Sequence, residues 1–137
     1  MFVKNLHLII GLAILVHGVG HSMGVLSAFD TFATQNWHGR SWLLTPLVGP
    51  LPARIFGGVL FAILTISFVI ASLGFLGWGV PETLWQPLAL VSAIVSLVAL
   101  FLYWNSLAAL FNKAGAIFVN IALLYGILGN QFPLDMQ

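Results

Sequence analysis

Four long apolar stretches, separated by short polar or Pro- and Gly-containing segments, make up most of this chain. We expect them as helices over about residues 4–26, 54–77, 84–110 and 114–131. Each is close to the roughly 20 residues that an α-helix, rising about 1.5 Å per residue, needs to cross a bilayer core. The pattern predicts an all-α integral membrane protein, a single transmembrane domain over residues 1–137 folded as an antiparallel four-helix bundle.

The segment between the first two predicted helices, residues 29–53, breaks this pattern. It begins with polar residues, and its second half reads WHGRSWLLTPLVGPLP, with three prolines. Proline removes a helical hydrogen-bond donor, while Trp and Arg favour the headgroup level of a membrane. We expect an interfacial loop that lies over one membrane surface or is partly re-entrant. His38 is expected to be a water-exposed surface histidine of this loop.

The first predicted helix carries His17 and His21 inside its apolar run. One helical turn separates them, so both imidazoles point from one face, which His7, Gly11 and Gly18 share. Ionisable side chains inside a membrane segment are costly; they usually face the protein interior, find a partner and mark a function. Glycine beside histidine also lets another helix or a flat macrocycle approach the backbone.

Three interpretations of His17 and His21 stay open at this point. Each imidazole can hydrogen-bond to a Ser, an Asn or a carbonyl of a neighbouring helix, with the glycines serving helix packing alone. Alternatively, at least one imidazole binds a metal, such as haem iron or the magnesium of a chlorophyll or bacteriochlorophyll, and Gly11 and Gly18 give the ring a flat surface. Proton handling is the third, because imidazole titrates near neutral pH.

Three polar residues in the later helices are candidate interior partners. Ser92 and Ser96 lie one turn apart in the third predicted helix, where they can bond to their own backbone or donate to His17 or His21. Asn120 falls inside the fourth apolar run. An amide in hydrocarbon needs a hydrogen-bond partner, so we expect Asn120 to make an interior contact whose main role is to hold helices together.

The composition agrees with a membrane protein and excludes several functions. Of 137 residues, 61% are hydrophobic and 5% are charged, with a mean hydropathy of +1.09. A soluble domain would carry about a quarter of its residues as charges. The net charge of +1 and the lack of a basic cluster exclude nucleic acid as a partner. With no cysteine, disulfides, thiolate metal sites and cysteine nucleophiles are excluded.

The few charged residues predict an orientation. Arg40, Arg54 and Lys113 fall on one predicted side, whereas the side of the termini carries Lys4 and two acidic residues. Because cytoplasmic loops are enriched in Lys and Arg, both termini are expected outside the cytoplasm. The first apolar run is expected to be a retained helix, since it is longer than a signal-peptide core and is interrupted by histidines.

The sequence His17-Gly18-Val19-Gly20-His21 forms an HG-x-x-H pattern that resembles the first helix of small four-span bacterial membrane proteins of unassigned activity. Their third and fourth helices carry a similar Ser, Trp, Gly and Asn, which here are Ser96, Trp104, Gly115 and Asn120. In size the chain also resembles DoxX-like proteins. The resemblance implies a multi-pass protein of the bacterial inner membrane, and it implies no activity.

Three functions are weighed. The first is an accessory subunit of a respiratory or photosynthetic electron-transfer complex, with other membrane subunits and lipid as partners, that binds haem, a chlorin or a lipid through His17 and His21. The second is a stand-alone enzyme or carrier for a lipid-soluble substrate such as a quinone, although no acidic residue lies in a predicted span to pair with the histidines. The third is a proton or small-solute path, which would need a homo-oligomer because four helices leave little room for a pore. The first is preferred, so a non-enzymatic role is expected.

A hydrolytic zinc site is not expected. Catalytic zinc ordinarily takes three protein ligands, and the first helix supplies two of them, His17 and His21, from one turn. His7 lies roughly 15 Å from His17 along the helix axis, and His38 belongs to the predicted loop. The metal or cofactor predicted at His17 and His21 is therefore a tetrapyrrole with one or two axial nitrogens.

Overall fold

The computed structural model describes residues 2–29, 38–106 and 110–129, with side chains from residue 5 onward. These residues form helices and no strands: α1 (Phe2–Ala28), α2 (Leu44–Val48), α3 (Pro50–Phe75), α4 (Trp85–Leu102) and α5 (Leu110–Leu128), with short 3-10 helices at Glu82–Leu84 and Trp104–Ser106. Four of the helices, α1, α3, α4 with its preceding turn, and α5, are long and apolar enough to cross a membrane. This confirms the all-α prediction and the prediction of four helices long and apolar enough to cross a membrane.

The second long helix begins earlier than predicted, at Pro50 instead of residue 54. Two of the three prolines in this segment, Pro50 and Pro52, occupy the first turn of α3, where backbone N–H groups have no intrahelical partner, so proline costs nothing there; the third, Pro46, lies in α2. The predicted loop over residues 29–53 therefore ends at Gly49 and contains the short helix α2; its residues 30–37 lie outside the described part.

The boundary between the last two long helices also differs from the prediction. α4 ends at Leu102 instead of residue 110, and α5 begins at Leu110, so the turn predicted at residues 111–113 is helical. The apolar sequence pattern continues across this boundary. The end of α4 is instead defined by contacts with a distant segment of the chain.

That segment is the loop before α2, which caps α4. The Ser41 hydroxyl donates to the carbonyl of Leu102 at 2.6 Å, and the Trp42 indole N–H donates to the carbonyl of Phe101 at 2.7 Å. The Trp42 backbone N–H donates in turn to the Asn105 side-chain oxygen at 3.0 Å. The last carbonyls of a helix need such outside partners, so this loop fixes where α4 ends.

α1 and α3 pack closely because glycines of α1 receive side chains of α3 and of Leu76, the residue that directly follows it. The pairs are Gly11–Leu76, Gly18–Phe68 and Gly24–Phe61. A Cβ atom at any of the three glycines would lie 2.3–2.6 Å from a side-chain atom of its partner, too close for a real contact. The side chains of α3 thus occupy the surface that Gly11 and Gly18 were expected to offer a flat ligand, and in this structure both glycines serve helix packing.

Polar contacts hold the helix ends together near the start of α3. The Arg54 guanidinium donates to the carbonyl of Ala28, the last residue of α1, at 3.0 and 2.7 Å, and a cation there also complements the helix dipole. The Tyr103 hydroxyl donates to the carbonyl of Ala53 at 2.5 Å, with its ring against Gly57. Burial raises the pKa of Tyr103 to about 12, so the phenol keeps its proton and remains a donor at ordinary pH.

The packing role of Gly18 can be tested against Gly20, two residues away on the same helix. A Cβ at position 18 would lie 2.6 Å from the Phe68 Cβ, whereas a Cβ at position 20 meets nothing within 4 Å. We expect Gly18→Ala to lower the free energy of unfolding by about 1–3 kcal/mol, because the clash involves atoms that no rotamer change can move. Gly20→Ala should leave it unchanged or raise it by up to about 1 kcal/mol, since alanine favours helix.

Thermal unfolding of the two variants in detergent micelles, followed by circular dichroism, makes this comparison. Equal midpoints for Gly18→Ala and Gly20→Ala would show that α1 and α3 are not packed as described.

Candidate functional site

Two imidazoles, a hydroxyl and an amide form a hydrogen-bond network between three helices. His21 Nδ1 lies 2.9 Å from the carbonyl oxygen of His17, one turn earlier on α1, and His21 Nε2 lies 2.9 Å from Ser96 Oγ on α4. Asn120 Nδ2 on α5 donates to the same Ser96 oxygen at 2.8 Å, and Asn120 Oδ1 lies 3.0 Å from His17 Nε2. Ser96 and Asn120 are fully buried and His21 is 8% exposed.

Helix geometry places these groups. His17 and His21 share a face of α1 because they are four residues apart, and their rings meet edge to face with centroids 4.7 Å apart. Phe68 of α3 packs against both imidazoles, with its ring centroid 4.8 Å from that of His17 and 5.3 Å from that of His21. The pair is thus enclosed by α3 on one side and is hydrogen-bonded to α4 and α5 on the other.

Simple chemistry fixes which atom donates in each bond. A carbonyl oxygen only accepts, so His21 Nδ1 carries a proton and donates it to His17 O. A neutral His21 then accepts at Nε2 from the Ser96 hydroxyl. Ser96 has given its one proton and accepts from Asn120 Nδ2, so Asn120 Oδ1 accepts a proton from His17 Nε2.

Both rings are neutral in this assignment, for a physical reason. A charged imidazole in an apolar interior is costly unless a counter-charge lies beside it. The acidic residue in the described part of the chain is Glu82, which lies in the turn between α3 and α4. No carboxylate is among the hydrogen-bond partners of His17 or His21 in that part.

His17 keeps one nitrogen that the network does not use. With the proton on Nε2, its Nδ1 carries a lone pair and accepts no hydrogen bond from the described residues, yet it is not sealed in the interior. His17 lines a cavity of about 540 Å³. In this assignment Nδ1 is therefore the nitrogen of His17 that remains free to accept a hydrogen bond from a ligand.

The cavity lies between α1 and α5 and is mainly apolar. Its lining comprises Ala13, Val16, His17, Gly20, His21, Met23 and Gly24 of α1, Phe61 of α3, Leu100 of α4, and Phe111, Asn112, Lys113, Gly115, Ala116 and Val119 of α5. A volume of 300–1,000 Å³ with apolar walls and few polar groups is typical of sites for small molecules. The size and lining thus fit a lipid-soluble ligand better than a water-filled path.

Two glycines keep this space open. A Cβ at Gly20 or at Gly115 would meet nothing within 4 Å, in contrast to the packed glycines of α1. Lys113 lies near the first turn of α5, with its ammonium 4.7 Å from the centroid of the Trp104 ring. Seven residues, roughly 10 Å of helix, separate Lys113 from Asn120, so the cavity has a cation toward one end and His17 further along.

The structure brings together some of the predicted site residues and separates others. The expected contact between a serine of the third long helix and a helix-1 histidine is confirmed for Ser96, as is the interior contact of Asn120. Ser92 is buried but makes no described contact with either histidine. His7 stacks on Phe75 instead, with ring centroids 4.5 Å apart.

Two further predicted positions lie elsewhere. His38 is partly buried in the loop before α2, and its Nδ1 accepts from the Arg40 backbone N–H at 3.2 Å. Gly18 is buried under Phe68 and does not line the cavity. Sequence reasoning missed the contribution of Asn112 and Lys113, because it placed them in a turn; the available signal was Gly115, whose small size on α5 leaves space beside them.

The donor set does not suit a hydrolytic metal ion. The residues that the structure describes contain no group of three or more His, Cys, Asp or Glu side chains placed to hold a metal. His17 and His21 supply a single free lone pair between them, whereas catalytic zinc takes three protein ligands. The site therefore offers hydrogen bonding more readily than metal chemistry.

Comparisons with protein-family models, with curated proteins and with solved structures find no match for this chain.

The energetic role of the network can be tested by comparing two asparagines of α5. Asn120→Leu removes two interhelical hydrogen bonds, each worth about 0.6 kcal/mol on average in membrane proteins and up to about 1.7. We expect it to lower the free energy of unfolding by about 1–3 kcal/mol. Asn112→Leu, at an exposed position, should change it by less than about 0.5 kcal/mol.

Unfolding of both variants in mixed micelles measures the difference. A loss for Asn120→Leu no larger than that for Asn112→Leu would mean that the amide bonds contribute nothing to the fold.

Proposed function

We propose that this chain is a multi-pass protein of the bacterial inner membrane whose four long helices cross the bilayer as an antiparallel bundle. The glycine contacts support this arrangement, since they run from Gly11 to Gly24 on α1 while running from Leu76 back to Phe61 on α3. The polar network is interior, and large apolar side chains such as Phe118, 72% exposed, cover the outside. A surface of that kind suits hydrocarbon.

An orientation follows from where the basic side chains lie. Arg54 bonds to the end of α1, Arg40 belongs to the loop that caps α4, and Lys113 lies over Trp104 just beyond α4. The three cations thus share one end of the proposed bundle. Cytoplasmic loops carry the excess of Lys and Arg, so we propose that this end faces the cytoplasm and both termini lie outside it.

Fusions to the C-terminus test the orientation. We expect alkaline phosphatase to be active there and green fluorescent protein to be dark, because the first folds only outside the cytoplasm and the second only inside. As a control, the double substitution Arg40→Gln and Lys113→Gln should weaken the bias and give a mixed population. A fluorescent C-terminal fusion on the unaltered chain would contradict the orientation.

Within the membrane, the function that we propose is the binding of a lipid-soluble ligand in the cavity between α1 and α5. One observation carries this proposal: His17, whose Nδ1 is not used by the network, lines a mainly apolar cavity of about 540 Å³. A few polar groups in an otherwise apolar site orient a ligand, while the walls provide most of the binding free energy. Phe61 contributes an aromatic side chain to the same lining.

Among the ligands considered from the sequence, a quinone-sized ring fits these groups better than a haem or chlorin. Both ring nitrogens of His21 are already hydrogen-bonded, so axial ligation would break the network. His17 offers Nδ1, which adjoins the ring carbon that carries Cβ, and a large planar macrocycle there would meet the side chain and its helix. A tetrapyrrole remains the less favoured proposal, and a visible absorption spectrum of the purified protein distinguishes the two.

The network is poorly suited to a proton path. The amide of Asn120 links His17 to Ser96. An amide transfers a proton only through its high-energy imidic acid form. The bonds act instead to hold each group in place. We therefore favour ligand binding over proton conduction for the histidine pair.

The cellular role that we propose is an accessory subunit of a membrane electron-transfer complex, with a stand-alone carrier of a quinone-like molecule as the alternative. α5 favours the first, because only 17% of its most apolar stretch is buried within this chain. Its remaining surface is available to another membrane subunit, a second copy or lipid. Co-purification from gently solubilised membranes separates these roles.

The proposed cavity binding is tested by filling the cavity. A leucine at Gly20 would project into open space in the lining, whereas Val19 is 52% exposed and does not line the cavity. We expect organic extracts of the native protein to contain an apolar small molecule in near-stoichiometric amount, retained by Val19→Leu and reduced at least about tenfold by Gly20→Leu, which corresponds to about 1.4 kcal/mol.

Mass spectrometry of the extracts identifies and counts the molecule, with circular dichroism to confirm that both variants are folded. An equal yield from Gly20→Leu and Val19→Leu would mean that the cavity is not the binding site.

A further inference from the structure

We infer that the cavity selects ligands that present a hydroxyl donor, such as a phenol, a quinol or an alcohol, over ligands of the same shape that only accept, such as a quinone, a ketone or an ether. The selecting atom is His17 Nδ1, held as an acceptor by the bonds through Asn120, Ser96 and His21. This inference rests on the proposed ligand-binding function and specifies the chemical class of the ligand.

The direction of the network begins at a group that cannot change its role. The carbonyl of His17 is an acceptor in every state of the protein, so the proton on His21 Nδ1 is fixed by the helix backbone itself. From there, each partner has one arrangement that leaves no donor facing a donor and no acceptor facing an acceptor. The last member of the series is His17, whose Nε2 donates and whose Nδ1 accepts.

The other tautomer of His17 would disturb the three bonds that follow the one from His21 Nδ1 to the His17 carbonyl. Its Nε2 lone pair would face the Asn120 oxygen, so the amide would have to rotate and turn that oxygen toward Ser96. Ser96 would then need its proton for the amide and would leave His21 Nε2 without a donor. An unpaired buried polar group costs more than an ordinary hydrogen bond gains, so the observed direction is preferred.

The consequence for a ligand is a simple rule of pairing. A ligand hydroxyl can donate its proton to the His17 Nδ1 lone pair. A carbonyl oxygen in the same place cannot, because both it and Nδ1 are acceptors. Sites built to hydrogen-bond one partner reject the analogue that lacks it, because the buried group is left unpaired. Ser96 and Asn120 do not line the cavity, so they act as positioning residues through His17.

A pair of probes that differ in one hydrogen-bond donor tests the selection. 4-Dodecylphenol and its methyl ether, 4-dodecylanisole, share the ring and the apolar tail, and the ether has no hydroxyl proton. We expect the phenol to bind the full-length protein in lipid nanodiscs about five- to tenfold more tightly than the ether, after correction for partitioning of each probe into empty nanodiscs.

The tautomer itself is read by nitrogen NMR on the protein with 15N-labelled histidine. We expect His17 to give a protonated Nε2 and an unprotonated Nδ1, with the Nδ1 signal moving on addition of the phenol and staying in place with the ether. The signal is assigned from its loss in His17→Asn. A protonated Nδ1 in the unaltered protein would overturn the inference without any reliance on a variant that might unfold.

Ser96 provides the matched variants. Ser96→Ala removes the hydroxyl that holds the Asn120 amide, so we expect the His17 signals to show both tautomers and the preference for the phenol to fall toward onefold. Ser96→Thr retains the hydroxyl and should retain the preference. A phenol preference that persists unchanged in Ser96→Ala, together with an unchanged His17 spectrum, would contradict the positioning role.

Gly20→Leu separates failure of the inference from failure of the proposed function. If it abolishes binding of both probes while the native protein binds them equally, the cavity binds ligands without selecting donors, and the inference is wrong. If both probes bind the leucine variant as well as the native protein, the cavity is not their site and the proposed function fails. If the native protein prefers the phenol and Gly20→Leu loses this preference, the result supports both the inference and the proposed function.

Discussion

The structure depends most on the need to pair buried polar groups in an interior that holds almost no charge. Two imidazoles lie in the apolar part of α1, and no carboxylate in the described chain approaches them. Their hydrogen-bonding groups must therefore be matched by neutral partners, the Ser96 hydroxyl of α4 and the Asn120 amide of α5. This requirement ties three helices together and fixes which atom donates in each bond.

The sequence was sufficient to predict the helices and part of this network. Runs of apolar residues close to the length of a bilayer crossing identify the long helices, and polar residues inside such runs identify the groups that need partners. Ser96 and Asn120 are identified in this way from the sequence alone. The hydrogen-bond partner of each polar group depends on the rotation and register of the packed helices. Local sequence does not determine these, so the geometry of the site cannot be predicted from it.

The boundaries that sequence reasoning placed wrongly share one cause. Prolines at the start of α3 suggest a broken helix, although a first turn tolerates them, and the continuing apolar pattern predicts an α4 longer than the structure has. Its true end is set by Ser41 and Trp42, about sixty residues away in sequence, which bond to its last carbonyls. A helix that is ended by a distant segment leaves no sign in its own residues.

The glycines of α1 explain why the cavity could not be predicted. Gly18 and Gly20 are two residues apart in one motif, yet Gly18 receives Phe68 of α3 while Gly20 faces open space. Two glycines thus permit close packing on one face of α1 and leave a cavity on another. The difference depends on which neighbouring helix each face contacts. On the open face, α5 approaches α1 through the bond between Asn120 and His17, with space left beside it. The polar network therefore both spans the gap between these helices and sets which nitrogen of His17 keeps a lone pair, so the shape of the cavity and the chemistry of His17 have a common origin.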